Sequence, residues 1–306
     1  SGQKLNKEKT SLFFSKNTSV EVKEVVKEMF GAEIIHQHER YLGLPPLVGK
    51  GKRKAFNRIK DQVGRKIASW KGRLLSTAGR EILIKAVAQA TPTYTMNCFM
   101  LPDSLCSELN SLVRNFWWGQ RDKEKKLAWI AWGKMCKPKA DGGMGFKDLK
   151  AFNLALLAKQ GWRLSQNPCS LAHRVLKARY FPGNNFMEAQ LGNMPSYTWR
   201  SLLAAREILE RGMRWSIGNG QKVRIWADRW LPTPHSFKVI SPKPQDFEGE
   251  MVESLINQYE GGWDKNLVRS VFFPHEAETI LSIPISLSLP EDAVTWAWTP
   301  NGRFTV

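Results

Sequence analysis

The chain has 306 residues, 42% of them apolar and 24% charged, which is enough apolar side chain for a packed core and excludes a disordered tail. Lys and Arg number 46 against 28 Asp and Glu, a formal net charge of +18 that points to a polyanionic partner, most simply nucleic acid. No apolar run approaches the roughly 20 residues of a membrane-spanning helix, so no membrane partner is expected.

The N-terminus lacks an apolar secretory core, which makes an intracellular protein the expectation. Four scattered cysteines (Cys98, Cys106, Cys136, Cys169) read as reduced thiols rather than a disulfide framework. The chain opens without Met and closes on Gly302-Arg303-Phe304-Thr305-Val306, a strand in mid-course. Both ends read as those of a segment of something longer.

The surplus charge is concentrated. Residues 50–85 hold twelve basic side chains against Asp61 and Glu81, so more than half of the net charge sits in 36 residues. The first part of this stretch is helical by period. Phe56, Ile59, Val63, Ile67 and Trp70 recur at three- and four-residue steps and form one narrow stripe, predicting a helix over 52–70. On the same wheel Lys54, Arg58 and Arg65 cluster opposite the stripe, with Lys60 and Lys66 on its flanks. One face packs and the other presents cations.

A second helix is predicted from Thr77 to Ala90, capped by Ser76 or Thr77 and stopped by Pro92, with Ile82, Leu83, Ala86, Val87 and Ala90 facing the core. A third runs from Ser104 to Trp118 and ends at Gly119. Leu127-Ala128-Trp129-Ile130-Ala131-Trp132 reads as a short strand or buried turn, and Asp148 as the N-cap of a further helix. More helices are expected at 170–180 and 197–211. Trp215–Ile217 and Lys222–Trp226 about Gly218-Asn219-Gly220 read as one β-hairpin, and Val294–Trp298 with Arg303–Val306 as another. Four prolines over 232–250 suggest a linker.

Local catalytic motifs are missing. The chain has no Gly-x-Ser-x-Gly, no Walker pattern and no adjacent pair of aspartates. Cys169 and His173 lie four apart, but no second pair accompanies them, and no metal site is expected. Gly142-Gly143-Met144-Gly145 before a helix start is a candidate anion cradle, though a structural turn is the simpler reading.

Taken in order, several motifs resemble one family. Gly2-Gln3-Lys4-Leu5-Asn6 with Leu12-Phe13-Phe14-Ser15 is similar to the late palm segment of LINE-type (non-LTR) retroelement reverse transcriptases of the plant kind. Tyr41-Leu42-Gly43-Leu44-Pro45 resembles their primer-grip turn, although from spacing alone it is an ordinary loop. Trp70-Lys71-Gly72-Arg73-Leu74-Leu75-Ser76, Phe116-Trp117-Trp118-Gly119 and Gly142-Gly143-Met144-Gly145-Phe146 continue the likeness, as do Leu156–Leu164 and Ile225-Trp226 to Pro232.

The resemblance implies an RNA-directed DNA polymerase whose Mg²⁺-binding aspartates lie upstream of the segment matching Gly2–Ser15. It also implies a zinc-binding-like region that would begin near Trp296. Neither the aspartates nor the Cys- and His-rich part of that region is in this sequence, so the chain alone is expected to be inactive, without cofactor or metal. What it would keep is a hold on a primer–template duplex through Lys54, Arg58, Lys60, Arg65, Lys66, Lys71, Arg73 and Arg80, with nuclear location implied by the family. The expected fold is mainly α with small β: a palm remnant over 1–49, a thumb-like basic helical region over 50–140 and connecting helices with a hairpin over 141–231. A linker over 232–250 and the start of a truncated zinc-binding-like region over 251–306 complete it. Two rival readings stand beside it. One is a stand-alone nucleic-acid-binding protein derived from such an element, the other an enzyme whose site is assembled from distant carboxylates.

Overall fold

Helices are the main regular elements of the computed structural model, which describes residues 6, 10–15, 17–35, 44, 48, 51–71, 75–119, 127–233, 236–257 and 261–306, save the side chains of Lys54 and Lys71. The first elements are β1 (Ser11–Leu12), α1 (Val20–Phe30) and β2 (Glu33–Ile34), with the two strands paired in parallel. Ser19 caps α1 by accepting from Val22 N–H, and Gly31 ends it at φ +59°, a conformation that favours glycine.

α2 (Lys52–Lys71) follows, then α3 (Thr77–Leu83), which runs on as a π-helical turn over Ile84–Ala88. Next come α4 (Thr93–Met96), α5 (Asp103–Trp117), α6 (Trp132–Met135) and a 3₁₀ turn at Lys139–Asp141. α7 (Leu149–Gln166), α8 (Leu171–Tyr180), α9 (Tyr197–Ala204) and α10 (Arg206–Glu210) form a second helical group. The remainder is β3 (Met213–Ser216), a 3₁₀ turn at Val252–Leu255, β4 (Ile256–Asn257), β5 (Gly262–Trp263), α11 (Lys265–Val271), α12 (Pro274–Leu281) and β6 (Ala293–Trp296). The fold is mainly α with small β.

Three apolar cores follow one another. The first joins α2, the π turn, α5, α6 and the start of α7 around Phe56, Ile84, Leu105, Leu109 and Phe146. The second joins the rest of α7 to α9 and α10 around Trp199, and draws in Trp296 and Phe304 from the far end of the chain. The third gathers Val223, Trp230, Val252, Trp263 and Val268. Buried Asn153 ties α7 to the 96–101 segment of the first core: its amide donates to the carbonyls of Met96 and Phe99, and its oxygen accepts from Leu101 N–H at 2.7 Å. A buried polar side chain with all its bonds made costs little and fixes one arrangement.

Neither expected hairpin forms. β3 pairs antiparallel with β6, Trp215 opposite Val294, rather than with Lys222–Trp226. The reason is Asp292, whose carboxylate accepts from the N–H groups of Gly218, Gly220 and Lys222 and so brings the following strand alongside β3. The backbone after Lys222 turns away instead, bonding Ile225 N–H to Glu250 and bridging Arg224 to Met251. Likewise Arg303–Val306 is not a strand; Phe304 tucks edge-on against Trp296, with centroids 4.6 Å apart. The local antiparallel pair among the described residues is β4–β5.

The described residues of 232–250 lack helix and strand, yet they are anchored. Trp230 and Leu231 N–H both donate to Phe237 C=O, and buried Glu276 on α12 accepts from the N–H groups of Ile240 and Ser241. The second helix also differs from its expected phase. Ile82, Ala86 and Ala90 face solvent, while Ile84 and Ala88 face the core. The π turn adds a residue per turn just there and shifts the inward face. Leu127–Ala131, expected as strand or buried turn, is exposed throughout.

Candidate nucleic-acid interface

α2 presents its two faces as its period dictates. Phe56, Ile59, Val63 and Ile67 are buried, Phe56 lies 5.6 Å from the Phe99 ring, and Trp70 lies 5.5 Å from Phe116 on α5. Burying four such side chains contributes on the order of 6–12 kcal/mol relative to exposure, an upper estimate that still exceeds any surface charge effect on this helix. The helix is therefore held by its stripe, and its outer face is free to carry charge.

On that outer face Arg58 and Arg65 are exposed, Lys66 is exposed on its flank, and no carboxylate among the described residues pairs with them. Arg65 Nε–H reaches only the carbonyl of Asp61 on its own helix, at 3.4 Å. Arg58 and Arg65 are seven residues apart, about 10.5 Å along the axis. Such a row of cations suits successive phosphates of a backbone, which a protein neutralises without reading sequence.

The other predicted cations are placed differently. Lys60 forms an ion pair at 2.8 Å with Glu108 on α5, and Arg53 pairs with the same carboxylate. The Lys60 ammonium, and then the Arg53 charge, hold the Glu108 carboxyl below its ordinary range. Arg80 turns inward: its Nη1 donates to Trp117 C=O at 3.2 Å and so satisfies the end of α5. Arg73 and the side chains of Lys54 and Lys71 lie outside the described residues, as do Tyr41, Leu42, Gly43 and Pro45 of the grip-like turn. Leu44 is described and packs against the first core. Lys52, which sequence reasoning does not single out, lies 4.9 Å over the Tyr197 ring, and no local pattern connects residues so far apart.

The glycine loop is not an anion cradle. The N–H of Gly142 donates to Lys139 C=O, that of Gly143 to Pro138, those of Met144 and Phe146 to Met135, and that of Gly145 to Lys137. Gln89, fully buried, closes the loop by bonding both the N–H and the C=O of Lys147. Asp148 then fills the N-terminus of α7, accepting from Lys150 and Ala151 N–H. No donor is left for a phosphate along 142–146.

Metal donors do not converge either. His173 Nδ1 bonds Leu164 C=O at 2.7 Å, and its ring packs edge-on against Phe181. Among the described residues no three His, Cys, Asp or Glu side chains form a site for a metal ion. No described helix is long and apolar enough to cross a membrane.

Two proteins of Arabidopsis thaliana are similar to this chain. An uncharacterized mitochondrial protein is 47% identical over 143 residues, which are 46% of this chain and 93% of that protein. The chain belongs to the family of this protein. A protein named "Putative ribonuclease H protein" is 30% identical over 268 residues, 86% of this chain. The chain spans only 43% of that second relative's length. No protein-family model matches the sequence.

Proposed function

We propose that the chain is the thumb and connecting part of a retroelement reverse transcriptase, and that it holds a primer–template duplex by its phosphates on the outer face of α2. The observation that carries this is the division of α2: Phe56, Ile59, Val63 and Ile67 inside, Arg58, Arg65 and Lys66 outside without carboxylate partners among the described residues. A relative whose name contains ribonuclease H fits a nucleic-acid setting, and so does the net charge of +18. The mitochondrial relative supports a second reading, a stand-alone nucleic-acid-binding protein, because 143 residues matching this chain make up nearly all of it.

Replacing Arg58, Arg65 and Lys66 together with Glu tests the interface. Loss of about three phosphate contacts should weaken binding to all duplexes alike and flatten the slope of log K against log salt by roughly 2–3. The fold, followed by circular dichroism, should persist, since exposed changes of this kind usually stay within about 0.5 kcal/mol each. A folded variant with unchanged affinity and slope would overturn the assignment.

A further inference from the structure

The segment 127–131 leaves the first core and is exposed along its length, although it carries Leu127, Trp129 and Ile130. Trp129 is 78% exposed. Three large apolar side chains exposed within four residues form a patch, and an exposed apolar patch is a candidate binding surface.

Its surroundings say which kind. Three residues on, Trp132 stacks on Phe146 with centroids 5.4 Å apart and planes 12° from parallel, and Trp117 at the end of α5 meets the same ring edge-on. Trp70, near the end of α2, packs on Phe116 beside Trp117. Three residues span at most about 11 Å, so Trp129 stands at the end of the first core where α2 also ends. From 127 to 139 the chain holds Lys134, Lys137 and Lys139, all exposed, and no carboxylate. Lys85 lies 5.7 Å from the Phe146 ring, and Lys85 with Lys139 shares the single carboxylate of Glu81. The rim around the aromatic loop is thus net cationic.

An apolar protein partner would be served by the three large side chains alone; the lysine rim favours a polyanion with flat, apolar faces. We infer that the 127–131 loop is a stacking platform for unpaired bases of a single-stranded nucleic acid, with Trp129 the ring on which a base lies and exposed Lys134 beside its phosphates. The inference rests on the reading of the chain as a nucleic-acid binder but not on α2, whose charges suit duplex phosphates.

The test uses the full chain, a 12-nucleotide oligothymidylate, the same strand with abasic positions, and a blunt 12-base-pair duplex. Trp129→Ala should weaken oligothymidylate binding about 5- to 100-fold and leave duplex binding within about twofold, because stacking acts on bases and not on phosphates. Trp129→Phe should keep most of the affinity. The wild-type chain should lose a similar factor on the abasic strand, and Trp129→Ala should lose nothing further there. Unchanged binding of the Trp129→Ala variant to oligothymidylate overturns the inference. So does an equal loss on strand and duplex, a variant that fails to fold, or a variant that changes only self-association, which would make the patch a protein contact. Loss of duplex binding in the α2 variant with oligothymidylate binding retained, and the reverse for Trp129, keeps the two surfaces separable. Failure at one surface leaves the other standing.

Discussion

Glu108 on α5 and Lys60 on α2 meet at 2.8 Å, and Arg53 reaches the same carboxylate, so one acid engages two cations. It is a competitor for phosphate. Glu108→Gln should therefore tighten duplex binding and steepen the salt slope by about 1–2, as Lys60 and Arg53 become available. The pair also sets a pH dependence. Because its neighbours lower the folded-state pKa of Glu108, its stabilisation is present above the ordinary carboxylate range and is lost as pH falls through the lowered value. The melting-temperature difference between the native chain and Glu108→Gln should shrink from pH 7 to pH 3. A constant difference would show that the pair is merely adjacent.

Gly143 sits against the backbone of Lys137, where an added Cβ would stand 2.0 Å from the Lys137 carbonyl oxygen. Gly143→Ala must push one of two hydrogen-bonded loop segments aside, and should cost about 1–3 kcal/mol in urea unfolding. Gly142 has open space but φ +75°, so Gly142→Ala should cost roughly 1–2 kcal/mol from backbone strain alone. If Gly143→Ala is neutral, the loop is not held as the geometry indicates.

The thiols separate by environment. Cys106 is buried in the first core, where burial, and then the charge of Asp103, push its pKa up to about 11, and burial does the same to Cys136. Cys169 is exposed. Brief alkylation of the native chain at pH 8 should label Cys169 and spare Cys106, as read by peptide mass spectrometry. Early labelling of Cys106 would mean that the first core opens readily.

What the sequence makes legible is local. The stripe from Phe56 to Trp70 sets both faces of α2 because a helix obeys one period, and Ser76, Asp148 and Ser170 mark helix starts because their side chains bond the first free N–H groups. The π turn at Ile84–Ala88 breaks the period, so a regular wheel puts the inward face of the second helix in the wrong place. Pairings over long separations are invisible to local pattern. Nothing near Trp215 announces Val294 as its partner, and nothing near Lys60 announces Glu108. The candidate interface is thus half readable: its cations, but not which of them the fold already uses.

Asp292 governs the last region. Its Oδ1 accepts from Gly218 N–H at 2.7 Å and Gly220 N–H at 2.9 Å, and its Oδ2 from Lys222 N–H at 2.9 Å. Gly218 allows this close approach, since a Cβ there would lie 2.0 Å from the Pro290 carbonyl oxygen. Three donors on one buried carboxylate hold the 218–222 turn and start β6 beside β3. Asp292→Ala leaves all three N–H groups unpaired at about 1–3 kcal/mol each before relaxation, so a net loss of roughly 3–5 kcal/mol is expected. Asp292→Asn is the sharper probe. It keeps the shape, yet its NH₂ must face at least one N–H donor, which removes one bond and adds a repulsion. A loss of about 2–3 kcal/mol is expected, more than isosteric exchange at a surface site would give. Hydrogen exchange should show faster amides at Gly218, Gly220 and Lys222 and along the β3–β6 pair, with α2 and α5 unaffected. An Asp292→Asn variant as stable as the native chain would mean that water, not this carboxylate, satisfies the turn, and that β3 and β6 pair without it.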